Sequence, residues 1–426
     1  MKILLCGINF APELTGIGKY TGELAAWLAA RGHAVRVVTA PPYYPAWAVS
    51  AGYSASTWRT ERWQGVQVLR CPLWVPRQPG GIKRLLHLAS FALSSLPVLL
   101  RQVFWRPDVV WVVEPALFCA PTALAVARLC GAKAWLHVQD FEVDAAFDLG
   151  LLRGAWLRRV VTGAERWLMR GFDVVSTISQ RMHQRLLDKG VDAAKARLAV
   201  NWVDLAAFAA GAHGLPRYAR NDGYRAELGI APDAVVALYS GNMGGKQGLE
   251  ILAEIASNMA AAPVQQAQAA TDSVAVDFVF CGDGVGRADL VRRCKGLPNV
   301  RFLDLQPTER LPDLLAMADI HLLPQRADAA DLVMPSKLTG MLASARPVVA
   351  TAHEGTELAT VVQNCGVVVP PEDPAAFAKA VRALAADPAL RQRLGAAGYV
   401  YAQTHLDREA VLGRFETDVL GLLGGQ

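Results

Sequence analysis

The sequence predicts an α/β protein made of two doubly wound domains, each built on a parallel sheet. Short apolar runs rich in β-branched residues alternate with longer helical patterns, which is typical of repeated βαβ units. At 426 residues the chain exceeds the usual size of a single core, and two domains of about 200 residues each are expected. A hydrophobic content of 53% and a charged content of 19% indicate buried cores rather than disorder.

The first predicted βαβ unit carries a glycine-containing loop between its strand and its helix. The strand MKILLCGINF opens the sheet, and the early polar turn with Glu13 argues against a signal peptide. Gly16 and Gly18 lie in the loop PELTGIGKY directly before the helix, where free backbone amides favour a bound anion. A tight turn without a ligand explains the same residues, so the motif alone leaves both interpretations open.

Two segments after the second strand, HAVRVVTAP, are expected outside the sheet. Residues 41–65 are aromatic and turn-rich without clear periodicity, and we interpret them as an acceptor-side loop, with surface padding as the alternative. Residues 82–106 contain thirteen uncharged residues between basic ends, which is shorter than the roughly 20 needed to span a bilayer. They predict either a pair of core helices or one helix lying at a membrane surface.

Charge is distributed unevenly along the chain. The net charge is +5, but residues 1–205 carry 24 Lys and Arg against 14 Asp and Glu, and the remainder carries 19 against 24. The halves are therefore +10 and −5, which indicates that the first half meets an anionic surface. A second basic stretch places four arginines near one side of a helix: Arg158, Arg159, Arg166 and Arg170. No nucleic-acid module is recognisable, so lipid headgroups at the inner membrane surface are favoured over nucleic acid.

The cysteines and histidines favour a reduced protein without a metal. The seven cysteines are far apart, include no C-x-x-C pair and fall mostly in apolar segments. They are expected to be reduced core thiols in a cytoplasmic protein. The eight histidines are equally scattered, so no metal site and no cofactor are expected.

The strand AKAWLHVQD ends with two polar residues that are candidates for a reacting centre. Ligands of open parallel sheets bind beyond the carboxyl ends of the strands, where His137 and Asp140 are expected. Asp140 would orient the histidine or contact an acceptor. A histidine satisfied within the fold is the alternative, and the residues alone favour it.

In the second domain, the loop GNMGGKQG follows the strand AVVALYSGN and precedes a helix. Asn242, Gly244 and Lys246 are placed to meet a diphosphate through amides and one ammonium group. The later segment VDFVFCGDGVGRADL superficially follows a dinucleotide-binding pattern, with Asp304 at the usual offset. That pattern requires glycine where this chain has Arg287, so we interpret the segment as an ordinary strand-to-helix turn.

Residues 331–359 predict two helix starts separated by the buried strand PVVAT. Helix starts present free N–H groups and the positive end of the helix dipole, and both features favour a phosphate. An ordinary αβα unit with well-capped helices is the alternative. The first start carries Pro335, Ser336 and Lys337, and the second carries Gly355, the expected N-cap Thr356, and Glu357.

The segment PSKLTGMLAS-A-RPVVAT resembles the donor-binding segment of retaining glycosyltransferases of family 4, usually written PSKxxEYMAxGxPVVAS. The N-terminal LTGIGKYTGELAAWLAARGHAVRVVT, the central HVQD, and the later YSGNMGGKQGLEIL and FVFCGDGVGRADL follow in the family's order. The pattern is most similar to bacterial exopolysaccharide glycosyltransferases of the colanic acid type. One departure concerns the family's paired glutamates, which would fall on Leu332 and Gly340. Asp331, one residue early, could replace the first of them.

The resemblance implies the glycosyltransferase B (GT-B) architecture, in which two Rossmann-like domains face each other across a cleft. The acceptor-side domain would cover residues 1–205, followed by a linker over residues 206–226. The nucleotide-sugar domain would cover residues 227–404. The final helix, residues 405–426, would cross back to the first domain.

The resemblance also implies the activity: retaining transfer of a sugar, hexosyltransferase-like, from a UDP- or GDP-linked donor without a metal. The acceptor would be a lipid-linked saccharide at the inner membrane surface, in exopolysaccharide, capsule or O-antigen biosynthesis. Lys246 and Lys337 would neutralise the leaving phosphates, and the family match favours His137 near the donor sugar. Backbone near Leu305 and Gln306 would meet the base, and Glu13 would lie on the acceptor side.

Two other functions remain compatible with these residues. A sugar-nucleotide 2-epimerase on the same fold would need catalytic carboxylates and no acceptor. A membrane-associated scaffold subunit that has lost activity is the second, because the paired glutamates are missing.

Overall fold

The structure, a computed structural model, describes residues 1–14, 16–77, 80–115, 117–141, 143–144, 147, 154–209, 222–260, 274–327 and 334–424. The chain forms two compact units. Unit 1 comprises Met1–Val200 and Leu412–Gln426, and unit 2 comprises Asn201–Val411. The predicted linker, residues 206–226, lies mostly outside the described residues.

Unit 1 is built on an eight-stranded sheet of order β3-β4-β2-β1-β5-β6-β7-β8. Neighbouring strands are parallel except for β3 and β4, which form an antiparallel pair. The inner strands are mainly apolar, and all six residues of β5 are buried, because helices cover both faces of the sheet. The edge strand β3 is largely exposed. The strands are β1 Lys2–Cys6, β2 Ala34–Thr39, β3 Arg59–Trp63, β4 Val66–Arg70, β5 Val109–Glu114, β6 Lys133–Val138, β7 Val174–Thr177 and β8 Ala196–Leu198.

In the part of the chain that the structure describes, five helices of nine or more residues connect these strands, and α15, which returns at the end of the chain, contributes its last part to unit 1. In α15, Phe415 packs on Trp111 and Trp135, with ring centroids 4.5 and 5.1 Å apart. Glu416 accepts hydrogen bonds from Arg31 at 2.8 Å and His33 at 2.7 Å, beside the end of α1. The helices are α1 Gly16–Ala30, α2 Gly81–Arg101, α3 Ala120–Cys130, α4 Ala155–Arg170, α5 Gln180–Asp188 and α15 Arg408–Gly424.

The structure corrects three expectations for unit 1. The segment 41–65 is not wholly irregular, because its end forms the edge strand β3. Residues 82–106 do not form a pair of helices: α2 is one 21-residue helix that accommodates Pro97, followed by a short 3₁₀ turn. The span Gly81–Phe104 is 24 residues long and is sufficiently long and apolar to cross a membrane by length and composition alone. The prediction that this segment is too short to span a bilayer is therefore wrong on length.

Unit 2 contains a six-stranded parallel sheet of order β11-β10-β9-β12-β13-β14. Its core includes Phe278, Phe280 and Phe377, all fully buried. The strands are β9 Val235–Ser240, β10 Val276–Cys281, β11 Val300–Leu303, β12 Ile320–Leu323, β13 Val348–Thr351 and β14 Gly366–Val369. The helices are α6 Leu205–Ala209, α7 Asp222–Glu227, α8 Glu250–Ala260, α9 Arg287–Arg293, α10 Leu311–Ala316, α11 Lys337–Ala343, α12 Glu357–Val362, α13 Pro374–Ala386 and α14 Pro388–His405.

Candidate active site

In unit 2, Lys337 from the start of α11 reaches the loop that follows β9. Its ammonium donates to Tyr239 Oη at 2.9 Å and to Gln247 Oε1 at 3.0 Å, and lies 4.1 Å from the centroid of the Tyr239 ring. Gly241, which directly follows β9, has a φ of +118° and lies beside the Lys337 side chain. A Cβ at Gly241 would lie 3.5 Å from Lys337 Cε and 3.7 Å from Nζ. The ammonium therefore lies at the carboxyl end of the strand, where ligands of parallel sheets bind.

The environment of Lys337 disfavours its charge. Burial lowers the pKa of Lys337 from 10.5 to about 7, because the ammonium is removed from water. The phenol of Tyr239 and the amide of Gln247 supply hydrogen bonds and a ring face, but neither carries a negative charge. A phosphate beside Nζ would supply that charge and stabilise the ammonium.

The loop after β9 is held in place by a second glycine turn, residues 282–286, after β10. A Cβ at Gly282 would collide with the carbonyl of Gly241, and a Cβ at Gly284 would lie 2.8 Å from the carbonyl oxygen of Met243. Met243 donates its N–H to Asp283 O and accepts from Gly286 N–H, both at 2.8 Å. The glycines that follow a dinucleotide-like pattern therefore serve close packing between two loops.

The other predicted residues of the first loop take different positions. Tyr239 donates its hydroxyl to the carbonyl of Asn242 at 2.6 Å, so the same tyrosine contacts Lys337 and the loop backbone. Gly244 precedes a 3₁₀ turn, Gly245–Gln247. Lys246 lies within this turn, and its side chain is outside the described part of the structure.

The predicted base-side residues follow β11. Gln306 accepts a hydrogen bond from Tyr224 Oη at 2.9 Å and donates to the carbonyl of Asp304, also at 2.9 Å. Its side chain is therefore engaged within unit 2. Leu305 lies beside it in the same connection, where its backbone borders the carboxyl end of the sheet.

The two predicted helix starts are present. Ser336 is the N-cap of α11 and makes no side-chain cap hydrogen bond, and Pro335 before it is buried. At α12, Thr356 Oγ1 accepts from the N–H of Ala359 at 3.2 Å, as an N-cap does. Gly355 has a φ of +78°, and Glu357 begins the helix.

One of the two positions that carry glutamates in family 4 falls within the described structure. Gly340 lies on α11, and a Cβ there would lie 3.0 Å from Leu315 Cδ1 of α10. This glycine therefore permits close packing between the two helices. Asp331 and Leu332 lie outside the described residues.

In unit 1, Glu13 lies buried beneath the start of α1. Its carboxylate accepts hydrogen bonds from Asn9 Nδ2 at 2.9 Å and from the N–H groups of Tyr43 and Tyr44, both at 3.1 Å. Burial outweighs these bonds and raises the pKa of Glu13 to about 7. A Cβ at Gly18 would collide with the Glu13 carboxylate, so this glycine makes room for the acid rather than standing open. Gly16 has a φ of +63°.

His137 lies within β6, one residue before its end, and is buried among aromatic rings. Ser176 Oγ lies 2.8 Å from its Nδ1, and the Trp111 ring centroid is 5.1 Å away. Trp135 Nε1 donates to the same Ser176 hydroxyl at 2.8 Å. Burial lowers the pKa of His137 to about 3, so the imidazole is neutral. Asp140 is half-buried, two residues beyond the strand.

The structure brings some of the predicted residues into contact. Lys337 joins the loop of Asn242, and Glu13 joins Gly18. Sequence reasoning missed Tyr239, Gln247 and Ser176, whose partners are distant along the chain. Among the residues that the structure describes, no three His, Cys, Asp or Glu side chains are grouped so that they could hold a metal ion.

Two family models and several known proteins match the chain. Residues 15–202 match the model of the glycosyl transferase 4-like domain, and residues 234–387 match that of glycosyl transferases group 1. A relative in Escherichia coli K12, named as the colanic acid biosynthesis glycosyl transferase WcaI, is 43% identical over 430 residues, covering 99% of this chain and 100% of the relative. The D-inositol 3-phosphate glycosyltransferase 1 of Catenulispora acidiphila is 32% identical over 42% of this chain and 43% of its own length.

Solved structures are similar over the whole length at low identity. Sucrose-phosphate synthase of Thermosynechococcus elongatus has a TM-score of 0.74 at 17% identity and covers 100% of both chains. Anabaena HepE in complex with UDP-glucose has a TM-score of 0.68 at 16% identity, again over 100% of both chains. The fold is therefore GT-B, and the chain belongs to the family 4 glycosyltransferases and is a glycosyltransferase.

Proposed function

We propose that this glycosyltransferase uses a UDP- or GDP-linked sugar and transfers it, with retention, to a lipid-linked saccharide in exopolysaccharide assembly. The observation that carries the proposal is the partly buried ammonium of Lys337 at the carboxyl end of β9, held by neutral partners. A diphosphate supplies the missing negative charge. The UDP-glucose complex of HepE supports a nucleotide-sugar donor, and the name of the WcaI relative supports the pathway.

In the proposed reaction, the bond between the anomeric carbon and the diphosphate oxygen breaks, and the acceptor hydroxyl bonds to that carbon on the same face. The acceptor proton passes to the departing phosphate oxygen. Negative charge therefore grows on the diphosphate, and preorganised cations stabilise such charge strongly where water is excluded. Lys337 would serve this role without a metal, with Lys246 from the neighbouring turn as a second cation.

Of the unit 1 candidates, Glu13 and Asp140 would act on the acceptor, and His137 would act on the donor sugar. Glu13, with a pKa of about 7, would accept a hydrogen bond from the acceptor or orient it. His137 is neutral and would contact the sugar through a hydrogen bond rather than through charge. Asp140 would contact the acceptor. These roles would place the chemistry at the inner face of the membrane, where a lipid-linked acceptor is available.

The test incubates the purified full-length chain with labelled UDP- and GDP-sugars and a lipid extract that contains diphosphate-linked saccharides. We expect label from one nucleotide class to enter the lipid phase without added metal, and the product to keep the donor's anomeric configuration by NMR. Lys337→Met, which keeps the length of the side chain and removes the charge, should lower transfer at least 100-fold.

Three outcomes would contradict the proposal. An altered sugar nucleotide formed without acceptor would indicate an epimerase. Folded protein with neither transfer nor donor hydrolysis would indicate a scaffold subunit. Full transfer by Lys337→Met would remove the role of the ammonium.

A further inference from the structure

Exposed large hydrophobic side chains are concentrated on one helical layer of unit 1. Of the 19 such side chains among the described residues, 11 lie on α2, α3, α4 and the short turns beside α2 and α3. The six on α2 and the 3₁₀ turn that follows it are Ile82, Leu86, Leu93, Leu96, Leu100 and Phe104. We call this group of helices and turns the helical layer.

The sheet order places these helices on the same side of the sheet. The connections β4 to β5, β5 to β6 and β6 to β7 all step in the same direction across the sheet. Parallel crossovers are right-handed, so the helices of successive steps in one direction lie on one face. The exposed apolar side chains of α2, α3 and α4 therefore share one outward surface.

The helix α2 is apolar on both faces. Its inner face packs into the core through Phe91 and Leu99, which are fully buried. Its outer face exposes Leu93 by 73%, and Phe104 in the turn beyond it by 89%. Solvated helices of globular proteins carry polar residues on the outer face. An apolar outer face of this length indicates that something other than water covers it.

The buried face also decides how α2 would meet a membrane. The span is long and apolar enough to cross a bilayer, but a crossing helix would have to withdraw Phe91 and Leu99 from the core of unit 1. A helix that keeps its inner contacts lies flat and offers only its outer face to lipid. That geometry is typical of interfacial helices.

The charges around the layer fit an anionic partner. Lys83 lies at the start of α2, and Arg101 and Arg106 lie at its end, all three exposed. Residues 81–106 contain no Asp or Glu. Basic residues near an anionic lipid surface add electrostatic attraction.

The helix α4 repeats this combination of apolar and basic residues. Trp156 is 74% exposed and Trp167 is 75% exposed, and Val160 lies between them on the outer surface. Four exposed arginines accompany them: Arg158, Arg159, Arg166 and Arg170. The single acid of the helix, Glu165, is buried and bonded to Lys189. Tryptophan and arginine together are typical of the interface between hydrocarbon and headgroups.

We infer that the outward surface of the helical layer docks flat onto an anionic phospholipid bilayer, by apolar insertion from α2 and α4 within a basic rim. The inference rests on the proposed function, because it supplies the surface on which the lipid-linked acceptor lies. The inner face of α2 adds a link to the acceptor side. His87 on that face bonds the carbonyl of Trp74 at 2.7 Å, and its ring lies 4.8 Å from that of Tyr43 in the aromatic segment.

The test measures flotation of the full-length protein with vesicles of phosphatidylethanolamine and phosphatidylglycerol, and with neutral phosphatidylcholine vesicles. We expect flotation with the anionic vesicles and at least a tenfold lower partition for the double variant Leu93→Ser/Phe104→Ser. High salt should weaken binding of the native protein only in part, because apolar insertion is not screened.

The matched control is the double variant Val400→Ser/Leu420→Ser, which removes two exposed apolar side chains from α14 and α15, outside the layer. It should float like the native protein. Stabilisation by UDP or GDP, measured in parallel without lipid, should be the same in all three proteins, so a failure of docking is separable from a failure of donor binding.

Five results would overturn the inference. The native protein could fail to float, the layer variant could float normally, or neutral vesicles could bind equally well. A concentration-dependent dimer that only the layer variant loses, without flotation of the native protein, would assign the surface to a second copy of the chain. Resistance of membrane-bound protein to alkaline extraction would instead indicate a helix that crosses the bilayer.

Discussion

Units 1 and 2 have similar backbone architectures but differ in their exposed hydrophobic side chains and in their net charge. Each is a parallel sheet of buried strands with helices packed against it. Yet 16 of the 19 exposed large hydrophobic side chains among the described residues belong to unit 1, and only Val285, Val291 and Val400 belong to unit 2. The charge is divided in the same sense, since residues 1–205 carry +10 and the rest −5.

The candidate sites of the two units also differ in the titratable groups that they contain. In unit 1, Glu13 and His137 are buried, and burial moves both pKa values towards the neutral form, to about 7 and about 3. In unit 2, burial lowers the pKa of Lys337 to about 7, and its hydrogen-bond partners beside the glycine loop are neutral. The proposed function assigns the charged nucleotide to unit 2 and the neutral acceptor hydroxyl, at a lipid surface, to unit 1. The following predictions test that division of roles.

The largest expected effect concerns the packing of the two glycine loops in unit 2. Gly284→Ala would place a Cβ 2.8 Å from the Met243 carbonyl oxygen at a φ of +144°. We expect it to lower the free energy of unfolding by about 4 kcal/mol, from strain and overpacking together, and to abolish donor binding. Gly296→Ala is the control, because Gly296 also has a positive φ but no atoms near its Cβ position. Equal stability of the two variants in urea would contradict the packing role.

The second prediction concerns Glu13 in unit 1. Its pKa in the folded protein, about 7, lies above the ordinary 4.5, so the unfolded chain releases this proton first as the pH rises. The native protein should therefore lose about 3 kcal/mol of stability from this group between pH 4.5 and pH 7. Glu13→Gln should lack this loss and keep donor binding. Denaturant titrations at several pH values measure both proteins, and parallel pH profiles would contradict the assigned pKa.

The third prediction concerns the charge of Lys337. With a pKa of about 7 the free side chain is mainly charged at pH 6 and mainly neutral at pH 8. Since the diphosphate of a sugar nucleotide does not titrate in this range, its dissociation constant should rise roughly tenfold from pH 6 to pH 8. Calorimetry measures this directly. Lys337→Met should bind weakly with no such dependence, and a pH-independent native protein would contradict the account.

The smallest predicted effect concerns Tyr239, which positions Lys337. Tyr239→Phe removes the hydroxyl that joins Lys337 to the Asn242 carbonyl but keeps the ring beside the ammonium. Loss of about 1 kcal/mol should raise the donor KM roughly fivefold and leave kcat nearly unchanged. Tyr401→Phe on α14 is the control in the same unit. A fall in kcat at constant KM would show that the hydroxyl acts in the reaction step instead.

The parallel strands were largely predictable from the sequence, and the contacts made by their side chains were not. Apolar runs such as VVALYS predicted β9, but nothing local shows that Tyr239 meets Lys337 across 98 residues. The edge strand β3 was not predicted, because it is largely exposed and its sequence RTERW has no apolar period. The pair of helices that was one expectation for residues 82–106 is a single helix, α2, in which Pro97 lies on the exposed face.

The candidate site was predictable in its glycines and helix starts, because these follow local backbone rules. Thr356 as N-cap and the positive φ of Gly355 are examples. The role of Gly18 was not predictable, since only the fold shows that the Glu13 carboxylate occupies the space beside it. His137 was expected at the end of its strand and lies one residue before that end, held by Ser176 from the neighbouring strand.

Thermal stability tests the assignment of the donor site to Lys337. The melting temperatures of the native protein and of Lys337→Met are measured with UDP, GDP, ADP and their sugar conjugates, without metal. One nucleotide class should raise the melting temperature of the native protein and of Leu93→Ser/Phe104→Ser. The melting temperature of Lys337→Met should not change. No shift of the native protein with any nucleotide, or an equal shift of Lys337→Met, would contradict the assignment of the donor site to Lys337 in unit 2.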